Sequence, residues 1–439
     1  MRDWNSVLLA ANATEHSGTF GSPDQGGPCR TARAFAIVHI AIYDAVNSIK
    51  PRAEKYLTFR PTLHASIDAA VAQAAHDTLV ALYPKQAAVF DAALDVYLAV
   101  LTDSPYKNRG RSLGAFCAAR ILEARIGDGS EVTTPYVPGQ EPGEHREDPL
   151  NPGQGFLDPN WGSVTPFALL AGSQFRAPAP PALDSSEYTR AYLEVKNVGG
   201  DGITTPTLRD DEQTEIGLFW AYDGSKNLGT PPRLYNQILR EIADQEGTDE
   251  VDNARLFALV NIAMADAGLC CWESKYFYDV WRPILGIREA NIGTGPTGKG
   301  DNNPSTLGDA DYIPLGAPAS NASNGGNNFT PPFPAYPSGH ATFGAALFRV
   351  LENFYGADDI EFAFLSDELN GITTDADGTT VRPVSPRAFD SLSQADAENA
   401  QSRIYLGIHW QFDATAGQSA GHNIADWTFD SVLTPLRPR

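Results

Sequence analysis

Cysteine, methionine and basic residues are scarce in this chain of 439 residues. It has 4 Cys and 2 Met, and its 32 Lys and Arg face 54 Asp and Glu, which gives a formal net charge of −22. Proteins that bind nucleic acid or anionic membrane surfaces lean basic, so we expect neither as a partner. No Cys-x-x-Cys spacing occurs, which argues against zinc ligation. We expect buried thiols, with disulfide pairing as the alternative, at Cys29, Cys117, Cys270 and Cys271.

Long apolar runs are also missing. No stretch approaches the ~20 residues of a membrane-spanning helix. The first residues carry only a short apolar stretch at 7–11, which is shorter than the core of a cleavable signal peptide. We therefore expect a soluble protein that is cytoplasmic, or secreted without a recognisable signal peptide.

Strand patterns are few, whereas helical spacing of apolar residues recurs along the chain. Pro- and Gly-rich segments at 128–210 and 290–335 interrupt it. A chain of this length exceeds one compact core, which favours two units. We predict an all-α fold of two side-by-side helical bundles with long irregular connecting loops. Residues 1–210 would form an N-terminal bundle plus a long loop, and residues 211–439 a catalytic bundle. The predicted helices cover 32–44, 65–82, 85–102, 107–126, 211–221, 233–245, 250–275, 338–355, 389–406 and 412–430.

One internal repeat supports this division. Residues 31–45 align without gaps to residues 253–267, with nine of fifteen positions identical. Two similar Ala-rich core helices would explain the match. A duplicated bundle whose second copy holds the chemistry would explain it as well.

The first motif with chemical potential joins two cations. Lys275 and Arg282 are seven positions apart, or about two helical turns, so a continuous helix would place both on one face. Pro283 then ends or bends the helix. Aromatic neighbours such as Trp272 and Trp281 distinguish this pair from a solvated surface and indicate a partly buried anion partner.

The second motif is a helix start. Ser338 can cap the following helix, and Gly339 lets its backbone N–H approach a ligand closely. Free N–H groups at a helix N-terminus favour an anion. His340 lies in the first turn, where its imidazole could serve as acid or base. A plain helix cap with an exposed histidine remains the alternative.

The third motif contains Arg403, His409 and Asp413. The arginine and the histidine are six apart and could face one pocket across a helix end. Asp413 follows His409 by four residues, so it can accept from Nδ1–H and leave Nε2 as nucleophile or metal ligand. The other histidines fall in no comparable cluster and are interpreted as structural or surface residues: His16, His39, His64, His76, His145 and His422.

Together the three motifs provide three cations, a hydroxyl, a helix N-terminus and two histidines. This donor set suits a tetrahedral or trigonal-bipyramidal oxyanion, with donors for the equatorial oxygens and an imidazole on the axis. A phosphoryl group in transfer and a bound vanadate both have this shape.

The order Lys-x6-Arg-Pro, Pro-Ser-Gly-His and Ser-Arg-x5-His-x3-Asp resembles a signature shared by three families. They are the vanadium haloperoxidases, the bacterial non-specific acid phosphatases and the type 2 phosphatidic acid phosphatases. The segment from Phe329 to His340 is similar to the fungal-type chloroperoxidase branch. In that branch Phe333 stands where algal bromoperoxidases carry His, and Trp272 matches an aromatic residue on the halide side.

The resemblance implies vanadate as cofactor and assigns roles to these residues. Its oxygens would be bound by Lys275, Arg282, Ser338, the Gly339 N–H and Arg403. His409 would ligate vanadium, His340 would be the acid–base residue, and Lys275 would also polarise the peroxide. Asp223 resembles the acid that pairs with Arg403. The implied partners are hydrogen peroxide and a halide, and both a small organic substrate and a homo-oligomer are compatible with them.

Two other functions share the same signature. An acid phosphatase would use His409 as nucleophile, form a phospho-histidine, and protonate the leaving oxygen through His340. Soluble phosphatases of this kind are about half as long, and the lipid phosphatases need several spanning helices. A vanadate- or phosphate-binding protein without turnover is the third reading, but it has no need of His340. The sequence therefore favours a haloperoxidase that oxidises bromide and also chloride.

Overall fold

The computed structural model describes residues 1–62, 64–323 and 325–436. Within these ranges it has 13 α-helices and one two-stranded sheet, which confirms the all-α prediction. The helices are α1 Arg2–Glu15, α2 Pro28–Ile49, α3 Ile67–Leu82, α4 Ala87–Ala99, α5 Pro105–Ala124, α6 Ser186–Val198, α7 Asp211–Phe219, α8 Pro231–Gln245, α9 Glu250–Tyr278, α10 Pro283–Arg288, α11 Gly339–Tyr355, α12 Leu392–Tyr405 and α13 Gln411–Ser431; the strands are β1 Phe362–Phe364 and β2 Arg387–Phe389.

Three of these helices were not predicted: α1, α6 and α10. Helix α6 lies inside the 128–210 segment that the sequence analysis treats as irregular. Ser185 caps it by accepting from the Tyr188 N–H, and it buries Tyr188, Ala191, Tyr192 and Val195. Their spacing of three and four residues is helical, but it extends over only 13 residues between Pro-rich stretches.

Helices α2 and α9 form the centre of the fold and pack against each other. Helix α9 is long and apolar enough to cross a membrane, yet 94% of its most apolar window is buried inside the protein. Both helices carry the repeat found in the sequence. Asp44 near the end of α2 accepts from Tyr56 N and Leu57 N. Its counterpart Asp266 in α9 accepts from three consecutive backbone N–H groups, at 167–169.

The repeat extends to α1 and α8, which precede α2 and α9. Asn5 of α1 donates to Asn236 of α8 (3.1 Å) and lies 3.0 Å from Nε2 of His39. Asn236 in turn exchanges hydrogen bonds with Asn261 of α9. Each of these four side chains is buried. This buried polar network between apolar helices favours one relative register, because a shifted register would leave buried amides unpaired.

The second helix pair is duplicated as well. In the first copy, Gly110 and Gly114 of α5 lie against two carbonyls at the start of α3, those of Ser66 and Ala70. A Cβ on these glycines would approach those oxygens to 2.4 and 2.3 Å. In the second copy, Gly417 and Gly421 of α13 approach the carbonyls of 338 and 342 beside α11 in the same way, at 2.7 and 2.4 Å. Glycine at these positions lets the two helices approach backbone to backbone.

The two halves of the chain share one hydrophobic core. One apolar cluster contains residues of α1 to α5 together with residues of α8, α9, α11 and α13. Helix α6, from the predicted first unit, packs against α10, α12 and α13 of the predicted second unit. The division at residue 210 stays a prediction. All four cysteines are free and buried, as expected.

Candidate active site

One cleft of about 720 Å³ gathers most of the predicted residues. Its floor contains the start of α11, the end of α12 and the segment that leads into α13. Residues of the first half, between α1 and α2, form one of its walls. The predicted residues that line it are Asp223, Trp272, Phe333, Gly339, His340, Arg403 and His409.

Lys275 and Arg282 do not share a helix face, contrary to the prediction. Helix α9 ends at Tyr278, because Asp279 adopts a left-handed conformation (φ 55°). Arg282 is the residue before α10 and has extended backbone angles. The two side chains nevertheless meet, since both hold the segment that leads into α11.

Lys275 Nζ donates to three backbone carbonyls of that segment, at Pro334 (2.8 Å), Ala335 (3.0 Å) and Pro337 (2.5 Å). Its side chain is fully buried, and this burial lowers the pKa of Lys275 to about 7. A neutral amine has only two protons for three acceptors, so the carbonyls favour the ammonium form. Lys275 thus fixes the approach to the Ser338–His340 turn with a positive charge.

The start of α11 has the predicted form. Ser338 is the residue before the helix, and its Oγ accepts from Ala341 N at 3.5 Å. Its own N–H donates to the carbonyl of Asp413 at 2.9 Å, which ties α11 to α13. A Cβ on Gly339 would lie 3.4 Å from the ring of Trp272, so the backbone here is close to that ring.

His340 is buried in the first turn of α11. Its Nε2 lies 2.6 Å from the carbonyl of Ala221, so Nε2 carries the proton and Nδ1 has the free lone pair. Burial, followed by the charge of Arg403, lowers the pKa of His340 to about 3. Two further side chains, Tyr235 and Asn399, each donate to the backbone carbonyl of His340 at 2.9 Å.

Arg403 lies in the last turn of α12 and is buried. Its Nη2 donates to Oδ1 of Asp223 at 2.6 Å, so the carboxylate expected to pair with Arg403 does contact it. This ion pair uses only one of the three guanidinium nitrogens. Arg403 Nε and Nη1 and Asp223 Oδ2 are buried and have no hydrogen-bond partner among the described residues.

His409 lies just before α13 and is held from both ring nitrogens. Nδ1 donates to Oδ2 of Asp413 at 2.8 Å, which places the lone pair on Nε2. Arg282 Nη1 lies 2.9 Å from that Nε2 and also donates to the carbonyl of Ile408. Burial, then the charges of Arg282 and Lys275, keep the pKa of His409 well below its ordinary value. The neutral ring therefore keeps its lone pair on Nε2, which accepts from Arg282 Nη1 in this structure.

The donors left over define what fits. In the part of the chain that the structure describes, Arg282 Nη2 is also buried without a partner, like the two nitrogens of Arg403. A buried cationic donor without an acceptor is costly, and an anion with several oxygens removes that cost. A tetrahedral oxyanion could accept from both guanidinium groups and from the α11 N-terminus. The residues present therefore fit vanadate or phosphate.

The aromatic wall of the cleft is formed by Phe333 and Trp272. Their ring centroids are 4.7 Å apart, and the Trp272 Nε1–H donates to the carbonyl of Leu157. Two cations flank Phe333, with Lys275 Nζ 5.1 Å and the Arg282 guanidinium carbon 4.9 Å from its centroid. This side of the cleft is apolar but lies next to positive charge.

Sequence reasoning missed three residues of this site. His16 lines the cleft beside His340 and His409, although the sequence analysis placed it in no cluster. Tyr235 and Asn399 support His340 from below. None of the three belongs to a motif, and each reaches the site only through the packing of α1, α8 and α12. No local pattern in the sequence identifies them.

The helical fold and this donor set are those expected of a histidine-based oxyanion site. Residues 255–438 match the family described as the VCPO second helical-bundle domain. The chain is 33% identical to the vanadium chloroperoxidase of Curvularia inaequalis, over 94% of this chain and 79% of that protein. The chain belongs to the vanadium haloperoxidase family.

Solved structures agree on the fold. A bacterial vanadium-dependent iodoperoxidase has a TM-score of 0.77 and 21% identity, with 100% of this chain and 98% of that chain covered. A holo-type bacterial vanadium-dependent chloroperoxidase has a TM-score of 0.70 and 15% identity, with 97% of both chains covered. Because the chain belongs to the vanadium haloperoxidase family, the acid phosphatase alternative is not favoured.

Proposed function

We propose that this enzyme binds vanadate at His409 and uses hydrogen peroxide to oxidise bromide, and also chloride, to hypohalous acid. As a vanadium haloperoxidase it takes vanadate as cofactor, with peroxide and halide as reactants. Vanadate supplies a Lewis-acidic centre that activates peroxide, and the oxidation state of vanadium stays the same. Halide choice and the roles of single residues go beyond the family assignment and are proposals.

We assign the role of each side chain from the hydrogen bonds that it makes. His409 Nε2 is the ligand nitrogen, because Asp413 holds the proton on Nδ1. Arg403 and Arg282 bind oxygens through the nitrogens that lack partners among the described residues. Ser338 and the Gly339 N–H complete the oxyanion site at the start of α11. Lys275 keeps positive charge beside it and would polarise the peroxide through that charge, because its three N–H donors are bound to backbone carbonyls.

His340 is the acid–base residue. Its Nε2 proton is committed to the Ala221 carbonyl, which leaves Nδ1 to accept a proton from hydrogen peroxide. Burial, followed by the positive charge of Arg403, lowers the pKa of His340 to about 3, which makes Nδ1 a weak base. Binding of an anion offsets that positive charge and raises the proton affinity of Nδ1. Bound vanadate would therefore make His340 a stronger base toward hydrogen peroxide.

The apolar contact between Phe333 and Trp272 carries the proposal for chloride. Chloride is harder to oxidise than bromide and needs a strongly activated peroxide in a dry pocket. Phe333 excludes water on this side and cannot exchange a proton with His340. A histidine at 333 would add a hydrogen-bonding group that competes for the proton of His340.

The test is the Phe333→His variant, assayed with a diketone probe in bromide and in chloride. We expect measurable chlorination by the wild type at mildly acidic pH, and a loss in Phe333→His that is larger for chloride than for bromide. Phe343→Leu is the matched control, since Phe343 also lines the cleft and contacts Trp272 without flanking cations. Robust bromination with background chlorination by the wild type at pH 4 to 7 would show that Phe333 is not sufficient and that the enzyme is a bromoperoxidase.

A paired assay separates this proposal from phosphatase activity. The vanadate-free protein is given a phosphate monoester, and the vanadate-loaded protein is given peroxide and bromide. We expect bromination to depend on vanadate. Phosphate release that disappears in His409→Ala would support the phospho-histidine alternative.

A further inference from the structure

His16 lies at the end of α1 and lines the cleft together with His340 and Arg403. It comes from the first half of the chain, which carries none of the motif residues. The ring is half-buried, whereas His340 and His409 are buried. Among the histidines of the cleft it is therefore the one in contact with both solvent and the site.

One hydrogen bond sets the chemistry of this ring. Nδ1 lies 2.9 Å from the carbonyl of Asn12, so Nδ1 carries a proton and Nε2 keeps the lone pair. Gly224, which follows Asp223, leaves the ring uncovered. A Cβ there would lie 3.8 Å from Cδ2 and 4.0 Å from Nε2 of His16. Nε2 is therefore beside the turn that carries the partner of Arg403.

The reaction needs a proton from solvent. Hydrogen peroxide, one halide ion and one proton give one hypohalous acid and one water, so each turnover consumes a proton. His340 is poorly placed to collect it directly, because its Nε2 is bonded to the Ala221 carbonyl and the ring is buried. A half-buried imidazole at the side of the same cleft can exchange protons with bulk water.

We propose that His16 is the proton-relay residue of the cleft, taking a proton from solvent at Nε2 and passing it through cleft water to the oxygen that leaves as water. This inference rests on the proposed function. In each cycle the N–H bond formed with solvent breaks again toward the cleft, so His16 returns to its neutral form. No oxidant other than the peroxide is involved. His16 acts through water and is a positioning and relay residue rather than a ligand.

The groups around His16 suit a rapid exchange. Burial is the largest effect and lowers the pKa of His16, and Arg233 of α8 acts in the same direction. The Asn12 carbonyl and Glu15, on its own helix, raise it. Asp223 also lines the cleft. A histidine whose pKa lies below its usual value gives its proton up readily near neutral pH.

The experiment measures kcat for bromide in His16→Ala across pH 5 to 8 at low buffer concentration, with increasing lutidine as an external proton carrier. Lutidine replaces imidazole because hypohalous acid halogenates imidazole. We expect kcat to fall by about tenfold at neutral pH, which is less than the ~10²–10⁴-fold contribution of a group that transfers the proton directly. Lutidine should restore it in a saturable manner, and the vanadate dissociation constant should not change.

His76→Ala is the matched control. His76 is a partly buried histidine outside the cleft lining that bridges Asp77 and Asp91. Its variant should show neither the fall in kcat nor the response to lutidine. Where His16→Ala fails to fold, His16→Gln takes its place, since the amide can keep the bond to Asn12.

The outcomes separate the two levels of inference. A wild type without bromide oxidation overturns the proposed function and the relay together. An active wild type with an unchanged kcat in the His16 variant overturns the relay alone. A fall in kcat that lutidine does not restore assigns His16 a structural role and also overturns it.

Discussion

Asp413→Asn tests whether the His409 ligand depends on the group behind it. Oδ2 of Asp413 accepts from both His409 Nδ1 (2.8 Å) and Trp410 N (2.9 Å), while Oδ1 has no partner among the described residues. Asparagine keeps the shape but offers one acceptor oxygen and adds an N–H₂ group. That oxygen can still serve the Trp410 N–H, but it holds His409 without the negative charge.

The magnitude follows from the role of such outer partners. Their loss typically costs 10- to 100-fold in metal affinity, or about 1.4–2.8 kcal/mol at 1.4 kcal/mol per tenfold. We expect the vanadate dissociation constant of Asp413→Asn to rise by about that factor. Titration calorimetry on the vanadate-free protein measures it directly, and loss of activity at low vanadate that is recovered at high vanadate provides a second readout.

Asp396→Asn is the matched control, because Asp396 is also buried and accepts from a histidine, His422, at 2.9 Å outside the cleft. Its vanadate affinity should equal that of the wild type. An unchanged affinity in Asp413→Asn, with both variants folded, would refute the view that the carboxylate orients His409. The hydrogen bond to Nδ1 would then be structural.

The same carboxylate has a pH signature. Burial raises the pKa of Asp413 to about 7, although Lys275 and Arg282 oppose the rise. The folded chain therefore keeps a proton that the unfolded chain releases near its usual pKa of about 3.9. The contribution of this group to stability consequently falls as pH rises from about 4 to 7, by at most about 1.4 kcal/mol per pH unit. In Asp413→Asn the unfolding free energy of the vanadate-free protein should fall less steeply with pH over this window.

Three further predictions concern single residues. His409→Ala should abolish stable vanadate binding, because hydrogen bonds alone hold the oxyanion loosely; undiminished affinity by calorimetry would contradict the ligand assignment. His340→Ala should still bind vanadate but lose ~10²–10⁴-fold in turnover, and a loss of only a few-fold would leave His340 a structural role. Gly421→Ala should destabilise the fold by about 1–3 kcal/mol in urea unfolding, as overpacked contacts do, since its Cβ would lie 2.4 Å from the Thr342 carbonyl. Gly127→Ala, at a glycine with no neighbour within 4 Å but a φ of +69°, introduces backbone strain without overpacking, whereas Gly421 is helical and has no such strain.

The long helices and the motif residues could be predicted because local patterns specify them. Apolar spacing located α9 and α11 to within a few residues, and Ser338 marked the start of α11. The four-residue spacing of His409 and Asp413 predicted their contact, although it forms across the start of α13 rather than within a helix. In these cases the interacting groups are neighbours in the chain.

The errors arise where distant segments decide the conformation. Lys275 and Arg282 have the spacing of a helix face, but Asp279 ends α9 between them. Their actual meeting point is the 333–337 backbone, about 50 to 60 residues away. His16 reaches the cleft only because α1 packs beside α8. Such contacts leave no periodic pattern in the sequence, because the two partners are joined by the tertiary packing and not by a fixed spacing along the chain.

The duplicated architecture shows how little of the chemistry resides in the backbone. Ser66 and Ser338 both precede a helix, and both donate their N–H to a carbonyl four residues before a helix-packing glycine, at Tyr106 and Asp413. In the first copy the next two positions are Ile67 and Asp68, whereas in the second they are Gly339 and His340. An aspartate in the first helical turn places its own negative charge at the positive end of the helix dipole, so we expect the first copy to disfavour an anion at this position. The whole chain has a net charge of −22, but screening beyond about 8–10 Å at physiological salt limits the reach of that charge. We therefore expect local differences such as these, rather than the overall charge, to favour the second copy as the oxyanion site.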